Sequence, residues 1–121
     1  MNVLIRAFLL LVVSAGACLA AEDYLRLPGN YAVEGQNPDG ATGYEGVALI
    51  TATGATFQVE WTVGEQVFHG TGIAYRDVLS VGYDGGTAFY QIGKDGILNG
   101  VWTTIGGDQL GTEILTPILY E

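Results

Sequence analysis

In this chain of 121 residues, the segment Phe57-Gln58-Val59-Glu60-Trp61-Thr62-Val63 gives the clearest indication of the fold class. Apolar and polar side chains alternate along it without a break, with the apolar set at Phe57, Val59, Trp61 and Val63. A period of two residues puts the two sets on opposite faces of an extended strand, whereas a helix repeats every 3.6 residues. The stretch therefore predicts a half-buried β-strand.

The same alternation, bounded by turns rich in glycine and aspartate, recurs on both sides of this stretch. Connections this short join antiparallel neighbours but cannot make parallel crossovers. Closing the sheet into a barrel would also remove its exposed edges. We therefore predict an all-β, antiparallel up-and-down meander, closed into a small eight-stranded barrel, with a Greek-key sandwich as the alternative. The predicted strands cover residues 29–36, 44–52, 56–63, 66–75, 78–83, 87–92, 97–104 and 109–116.

Glycine recurs inside the predicted strands, two positions after another side chain. Glycine weakens a strand, so its repetition indicates a geometric need. Strong coiling, corner turning in a small barrel, or the close approach of an aromatic ring to the backbone would each supply one. The pairs are Tyr44 and Gly46, Phe68 and Gly70, Ser80 and Gly82, Leu98 and Gly100, and Gln109 and Gly111.

The N-terminal residues have the features of a secretory signal. Arg6 precedes an unbroken apolar run over residues 7–13, and small residues follow as far as Ala21. Such a run is too short to span a bilayer. We therefore predict a signal peptide over residues 1–21, no membrane span, and a periplasmic or secreted protein. Cys18, the only cysteine, lies in this segment, and a lipid anchor there is the alternative.

The chain after residue 21 is strongly acidic and has no cysteine for a disulfide. It holds all 13 acidic residues and three of the four basic ones, a net charge of −10 with histidine neutral. This charge disfavours binding to nucleic acid, and it favours solubility or the attraction of a basic partner. A segment of about 100 residues can bury one core unaided. We predict an N-terminal arm over residues 22–28 and one all-β domain over residues 29–121.

Glycines and aromatic residues follow a recognisable order along nearly the whole of this domain. In that order the chain resembles a family of small secreted bacterial proteins often labelled fibronectin-binding protein. The resemblance implies a β-meander and a host or matrix protein as ligand. The pattern is also similar to other eight-stranded meanders, such as avidins, lipocalins and periplasmic enzyme inhibitors. The segments that carry the resemblance are Gly29-Asn30-Tyr31-Ala32-Val33-Glu34-Gly35-Gln36-Asn37-Pro38-Asp39-Gly40, Tyr44-Glu45-Gly46-Val47, Gln58-Val59-Glu60-Trp61, Gly70-Thr71-Gly72-Ile73, Val78-Leu79-Ser80-Val81-Gly82-Tyr83, Leu98-Asn99-Gly100-Val101-Trp102 and Gly111-Thr112-Glu113.

The sequence offers no complete catalytic or metal-binding set. His69 is the only histidine, and Ser80 is the only serine after residue 21, so nucleophilic hydrolysis has little support. Carboxylates that alternate along a strand are expected to face water, and aspartates beside glycines are common in turns. We therefore predict no enzymatic activity, no metal site and no cofactor. The residues considered were Glu34, Glu45, Glu60 and Glu113 for acid–base work, and Asp39, Asp84, Asp95 and Asp108 for calcium.

The aromatic residues are the richest chemical feature. Most are expected to fill the barrel, yet tryptophan N–H and tyrosine O–H groups can line a mouth for a small ligand. Glu113 shares its parity along the strand with Gly111 and Leu115, so on an inward face it needs a partner such as a tyrosine or Arg76. The candidate ligand-binding residues are Tyr44, Trp61, His69, Tyr83, Trp102 and Glu113.

Three functions fit these observations. The first is an exported, non-catalytic binding module that recognises a macromolecular partner, basic in charge or a host or matrix protein. The second is an inhibitor of a secreted or periplasmic enzyme, such as a lysozyme or a protease. The third is a carrier that holds a small ligand inside the barrel.

Overall fold

The computed structural model describes residues 26–119, so the predicted signal peptide, Cys18 and most of the predicted arm lie outside the described part. The described residues form eight strands and no helix. The strands are β1 (Gly29–Gln36), β2 (Gly43–Thr53), β3 (Thr56–Val63), β4 (Gln66–Tyr75), β5 (Val78–Tyr83), β6 (Gly86–Ile92), β7 (Leu98–Thr104) and β8 (Gly111–Pro117).

The strands form a closed antiparallel barrel in chain order. Each strand pairs with the next, and β1 pairs with β8 to close the sheet. The predicted up-and-down barrel is therefore confirmed, and the sandwich alternative is wrong. Among residues 26–119 no helix is long and apolar enough to cross a membrane.

The predicted strands match the observed ones closely, with one visible error at the last strand. β8 begins at Gly111, two residues later than predicted. Gly106 adopts a positive φ of 82°, and the Thr103 hydroxyl donates to the carbonyl of Gln109 at 3.2 Å. Gln109 is thereby held in a six-residue connection instead of a ladder.

The two ends of the barrel differ. The connections after β1, β3, β5 and β7 (residues 37–42, 64–65, 84–85 and 105–110) meet at one end, which we call the mouth. The connections after β2, β4 and β6 lie at the opposite end, which we call the base.

The base is closed by aliphatic side chains. Leu27, just before β1, is 1% exposed, and its carbonyl accepts a hydrogen bond from the Tyr31 hydroxyl at 2.7 Å. Each fully buried leucine stabilises the fold by about 1.5–3 kcal/mol. The base half of the barrel is thus packed with side chains. The other large buried aliphatic residues near the base are Ile50, Leu79, Leu98 and Leu115.

Candidate functional site

Five inward-facing positions form one row around the barrel at the level of Glu113. The row runs from β6 through β7, β8 and β1 to β2. Its residues, in that order and in register, are Tyr90, Gly100, Glu113, Gly35 and Tyr44. Each neighbour of Glu113 is thus a glycine, and each second neighbour is a tyrosine.

The two glycines let the tyrosine rings reach Glu113. A Cβ atom at Gly35 would lie 2.2 Å from Cζ of Tyr44, and one at Gly100 would lie 2.4 Å from Cδ1 of Tyr90. Neither ring could keep its place over a larger residue. Close aromatic approach, one of the needs predicted from the recurring glycines, is therefore confirmed, although ring and glycine lie on neighbouring strands.

Not every glycine in the predicted pattern serves this purpose. Gly82, two positions after Ser80, has no atom within 4 Å of an added Cβ. It lies on the exposed face of β5. A glycine two positions after another side chain therefore does not by itself indicate a contact with an aromatic ring.

Three donors converge on the Glu113 carboxylate. The Tyr44 hydroxyl donates to Oε1 at 2.6 Å, the Trp61 indole N–H donates to Oε2 at 2.9 Å, and the Tyr90 hydroxyl also donates to Oε2. Glu113 is only 6% exposed and is the one buried charged residue among residues 26–119. Charge-assisted hydrogen bonds of this kind compensate a carboxylate for its loss of water.

The same contacts hold the tyrosines in their neutral form. Burial, followed by the hydrogen bond and the negative charge of Glu113, raises the pKa of the Tyr44 hydroxyl. Burial and then the charge of Glu113 raise the pKa of Tyr90 and, to a smaller extent, of Tyr83. The hydroxyl groups around the carboxylate therefore remain donors at neutral pH.

A cavity of about 290 Å³ lies between this row and the mouth. Two edge-to-face aromatic pairs form part of its wall: Tyr44 with Trp102 (centroids 6.2 Å apart) and Trp61 with Tyr83 (5.7 Å apart). The size lies near the lower limit for small-molecule pockets. The lining residues are Asn37, Tyr44, Trp61, Val63, Gln66, Phe68, Tyr83, Ala88, Tyr90, Trp102 and Glu113.

One polar group in the cavity wall has no hydrogen-bond partner. The indole nitrogen of Trp102 is shielded from solvent and donates to no described atom with hydrogen-bond geometry. It lies close to the Tyr44 hydroxyl, and this proximity opposes the rise of that group's pKa. An unpaired buried donor is costly and is rare in native proteins.

The structure brings five of the six predicted site residues together. Tyr44, Trp61, Tyr83, Trp102 and Glu113 all line the cavity. The sixth, His69, lies on the outer face of β4: its side chain is 68% exposed, and its Nδ1 lies 3.9 Å from Oε2 of Glu60.

Tyr90 is not among the candidate site residues predicted from the sequence, where most aromatic residues are expected to fill the barrel. Tyr90 is indeed 1% exposed, but its hydroxyl contributes one of the three donors to Glu113. The available signal was the pairing of an aromatic residue with a glycine on the next strand, Gly100. Recognising it requires the register, which the sequence alone does not supply.

The other acidic residues considered do not join this site. Glu34 and Glu45 lie opposite each other in the register of β1 and β2, on the exposed face of the sheet. Asp95 lies in a base connection, away from the three aspartates in mouth connections. Asp39 stabilises the turn in which it lies, because its Oδ1 accepts a hydrogen bond from the backbone N–H of Ala41 at 2.8 Å. Backbone hydrogen bonds of this kind lower the pKa of Asp39. Residues 26–119 contain no group of three or more His, Cys, Asp or Glu residues placed to hold a metal.

Comparisons of the sequence with models of known protein families and with curated proteins find no match.

Proposed function

We propose that this exported protein is a non-catalytic binding protein that holds a small organic ligand in the cavity above Glu113. The observation that carries the proposal is a buried, hydrogen-bonded carboxylate at the inner end of an aromatic-lined cavity. An eight-stranded barrel is either filled by side chains or just wide enough for one small ligand. Here the base half is filled and the mouth half is not.

The hydrogen bonds of Glu113 favour binding over acid–base chemistry. A carboxylate offers about four lone-pair positions. Three of them accept hydrogen bonds from Tyr44, Trp61 and Tyr90. A general base needs a lone pair directed at the substrate, and most of the lone pairs of Glu113 are already occupied. His69, the one histidine, faces solvent on the outside of the barrel. The arrangement suits a fixed recognition group.

Filling the cavity tests this proposal. Ala88 lies in the wall and is 3% exposed, so Ala88→Leu places extra carbon atoms in the ligand space. Phe89→Leu is the matched control, because the neighbouring Phe89 is 50% exposed on the outer face of the same strand.

The readout is tryptophan emission during titration with toluene, phenol, benzyl alcohol and benzylamine. Both tryptophans of the chain line the cavity, so occupancy changes their surroundings. We expect saturable changes for at least one probe, weakened at least about tenfold by Ala88→Leu and retained in Phe89→Leu. Binding that Ala88→Leu leaves intact, or no response to any probe, contradicts the proposal.

A second candidate function is recognition of a macromolecule on the outer wall, as the resemblance to proteins labelled fibronectin-binding implies. One row of outward residues crosses β4 to β7 in register: Ile73, Ser80, Phe89 and Val101. Its three apolar members are 60%, 50% and 37% exposed. Adjacent exposed apolar residues often mark an interaction surface.

Immobilised protein tests the second candidate with purified fibronectin and with a basic lysozyme, which represents the inhibitor alternative. Saturable binding that salt weakens, that Phe89→Ser abolishes and that Glu113→Gln leaves unchanged supports the outer wall. Binding that is equal in the Phe89→Ser variant, or no binding to either protein, contradicts it.

A further inference from the structure

The charge of the cavity has one sign. Glu113 is the only charged residue in its lining, and no lysine, arginine or histidine lines it. The three groups that hold the carboxylate are neutral donors, so no cation of the lining balances its charge. A bound anion would meet this charge beside a buried carboxylate, where repulsion is stronger than in bulk water.

Unused acceptors also outnumber unused donors in the cavity. The hydroxyl protons of Tyr44 and Tyr90 are committed to Glu113, and that of Tyr83 is committed to the carbonyl of Thr103 at 3.0 Å. Each of these oxygens can therefore offer only lone pairs to a ligand. Oε1 of Glu113 accepts from Tyr44 alone and has a lone pair left. The side-chain amides of Asn37 and Gln66 offer both donors and acceptors, whereas the N–H of Trp102 is shielded.

The walls of the cavity are suited to a positive charge. Six of the lining residues are aromatic, and the faces of such rings carry negative charge density. A cation close to the face of a tryptophan or tyrosine is attracted to it, most strongly where water is excluded. Aromatic walls around a carboxylate form a site that neutralises an organic cation and also covers its carbon atoms.

The mouth extends the same charge pattern to the surface. Each of the four mouth connections carries one exposed acidic residue and no basic residue. The three basic residues of the described chain, Arg26, Arg76 and Lys94, all belong to the base end. Such a distribution concentrates cations at the entrance of the cavity. The acidic residues of the mouth are Asp39, Glu65, Asp84 and Asp108.

We infer that the ligand of this cavity is a small organic ammonium ion, with its nitrogen directed at Glu113 and its apolar part against the aromatic walls. The inference rests on the proposed small-ligand function and deepens it by giving the chemical class. An amine supplies the N–H donors that Oε1 of Glu113 and the tyrosine oxygens can accept.

Three probes of one shape and different charge test the inference on the unaltered protein. Benzylamine is a cation at neutral pH, benzyl alcohol is neutral and benzoate is an anion. We expect benzylamine to bind at least about tenfold more tightly than benzyl alcohol and benzoate not to bind measurably. Added sodium chloride should weaken the binding of benzylamine and leave that of benzyl alcohol unchanged.

Two matched substitutions then locate the charge that is responsible. Glu113→Gln should reduce the preference for benzylamine over benzyl alcohol to less than about threefold. Glu60→Gln removes an exposed carboxylate from the outer face of β3 and should leave the preference intact. The comparison of probes on the unaltered protein stands even if Glu113→Gln does not fold.

The outcomes separate the inference from the function on which it rests. Benzyl alcohol or benzoate binding as tightly as benzylamine overturns the ammonium assignment while small-ligand binding survives. A preference for benzylamine that persists in folded Glu113→Gln also overturns the assignment. If neither benzylic nor other aromatic probes alter tryptophan emission, the proposed function itself fails.

Discussion

The Tyr44 hydroxyl donates to Oε1 of Glu113 at 2.6 Å, although 69 positions separate the two residues in the chain. The contact exists because barrel closure places β8 beside β1, so that only Gly35 lies between the two residues in the row. A side chain at position 35 would occupy the volume of the Tyr44 ring. Closure, a glycine and a long aromatic side chain together place a donor on a buried carboxylate.

Gly35→Ala should displace the Tyr44 ring and break its hydrogen bond to Glu113. Overpacking of this kind costs about 1–3 kcal/mol in the free energy of unfolding. Gly82→Ala is the control, because an added Cβ there meets no atom within 4 Å. Urea unfolding followed by tryptophan emission measures both variants. Equal stability of the two would show that the Tyr44 ring does not depend on Gly35.

Tyr90→Phe removes one of the donors to Glu113 without changing the shape of the core. The loss of a hydrogen bond to a buried charged group is expected to cost about 1.5–3 kcal/mol in stability. Tyr75→Phe removes the same hydroxyl from a residue that is 68% exposed and should change stability by less than about 0.5 kcal/mol. Denaturant midpoints of the two variants decide the matter, and a Tyr90→Phe protein as stable as the wild type would contradict the donor role.

The buried tyrosines predict that stability falls at alkaline pH. Burial, joined for the first two by the charge of Glu113, raises the pKa of Tyr44 and Tyr90, and burial raises that of Tyr31 to about 12. In the unfolded chain these hydroxyls ionise near pH 10. Above that pH the folded state holds more protons, so the free energy of unfolding decreases as pH rises towards the folded-state values. Below it, their contribution is complete and constant.

Unfolding curves from about pH 8 to about pH 11 measure this slope. Tyr90→Phe should show a shallower decline than the wild type, by at most about 1.4 kcal/mol per pH unit. Ultraviolet absorbance of the phenolate supplies an independent record, since fewer tyrosines should ionise in the folded protein than in urea. A decline of equal steepness in the variant would contradict the assignment to Tyr90.

His69 provides a prediction of no effect. Its side chain is exposed, and its contact with Glu60 is long. Exposed ion pairs contribute little to stability, so His69→Ala should change stability by less than about 0.5 kcal/mol and leave benzylamine binding within about twofold. Isothermal calorimetry and urea unfolding check both numbers. A large loss of affinity would place part of the ligand site outside the barrel.

The sequence was sufficient to predict the barrel because its evidence is local. Alternation such as that around Trp61 specifies each strand, and short turns leave only antiparallel neighbours. The start of β8 was wrong because Gln109 and Leu110 continue the alternation, although Gly106 commits them to a connection. Periodicity describes side chains and does not reveal where a ladder of backbone hydrogen bonds begins.

The site was predicted in part, for a different reason. The parity of Glu113 put it on one face with Gly111 and Leu115, and its need for a partner on an inward face, a tyrosine or Arg76, followed from the cost of burying a charge. Which tyrosines meet it depends on the register across the barrel closure, and that is a long-range property. His69, the sixth candidate, alternates with Phe68 and Gly70 along β4 and lies on the outer face, outside the cavity lining.

The indole N–H signals of the two tryptophans report on whether a ligand enters the cavity above Glu113. A proton–nitrogen correlation spectrum of the purified protein shows one such signal each for Trp61 and Trp102, assigned with Trp102→Phe. Titration with the tightest-binding benzylic probe should move both signals along one saturation curve, because both residues line the cavity. Indole signals that stay fixed while outer-face amides move would show that the cavity is not the binding site.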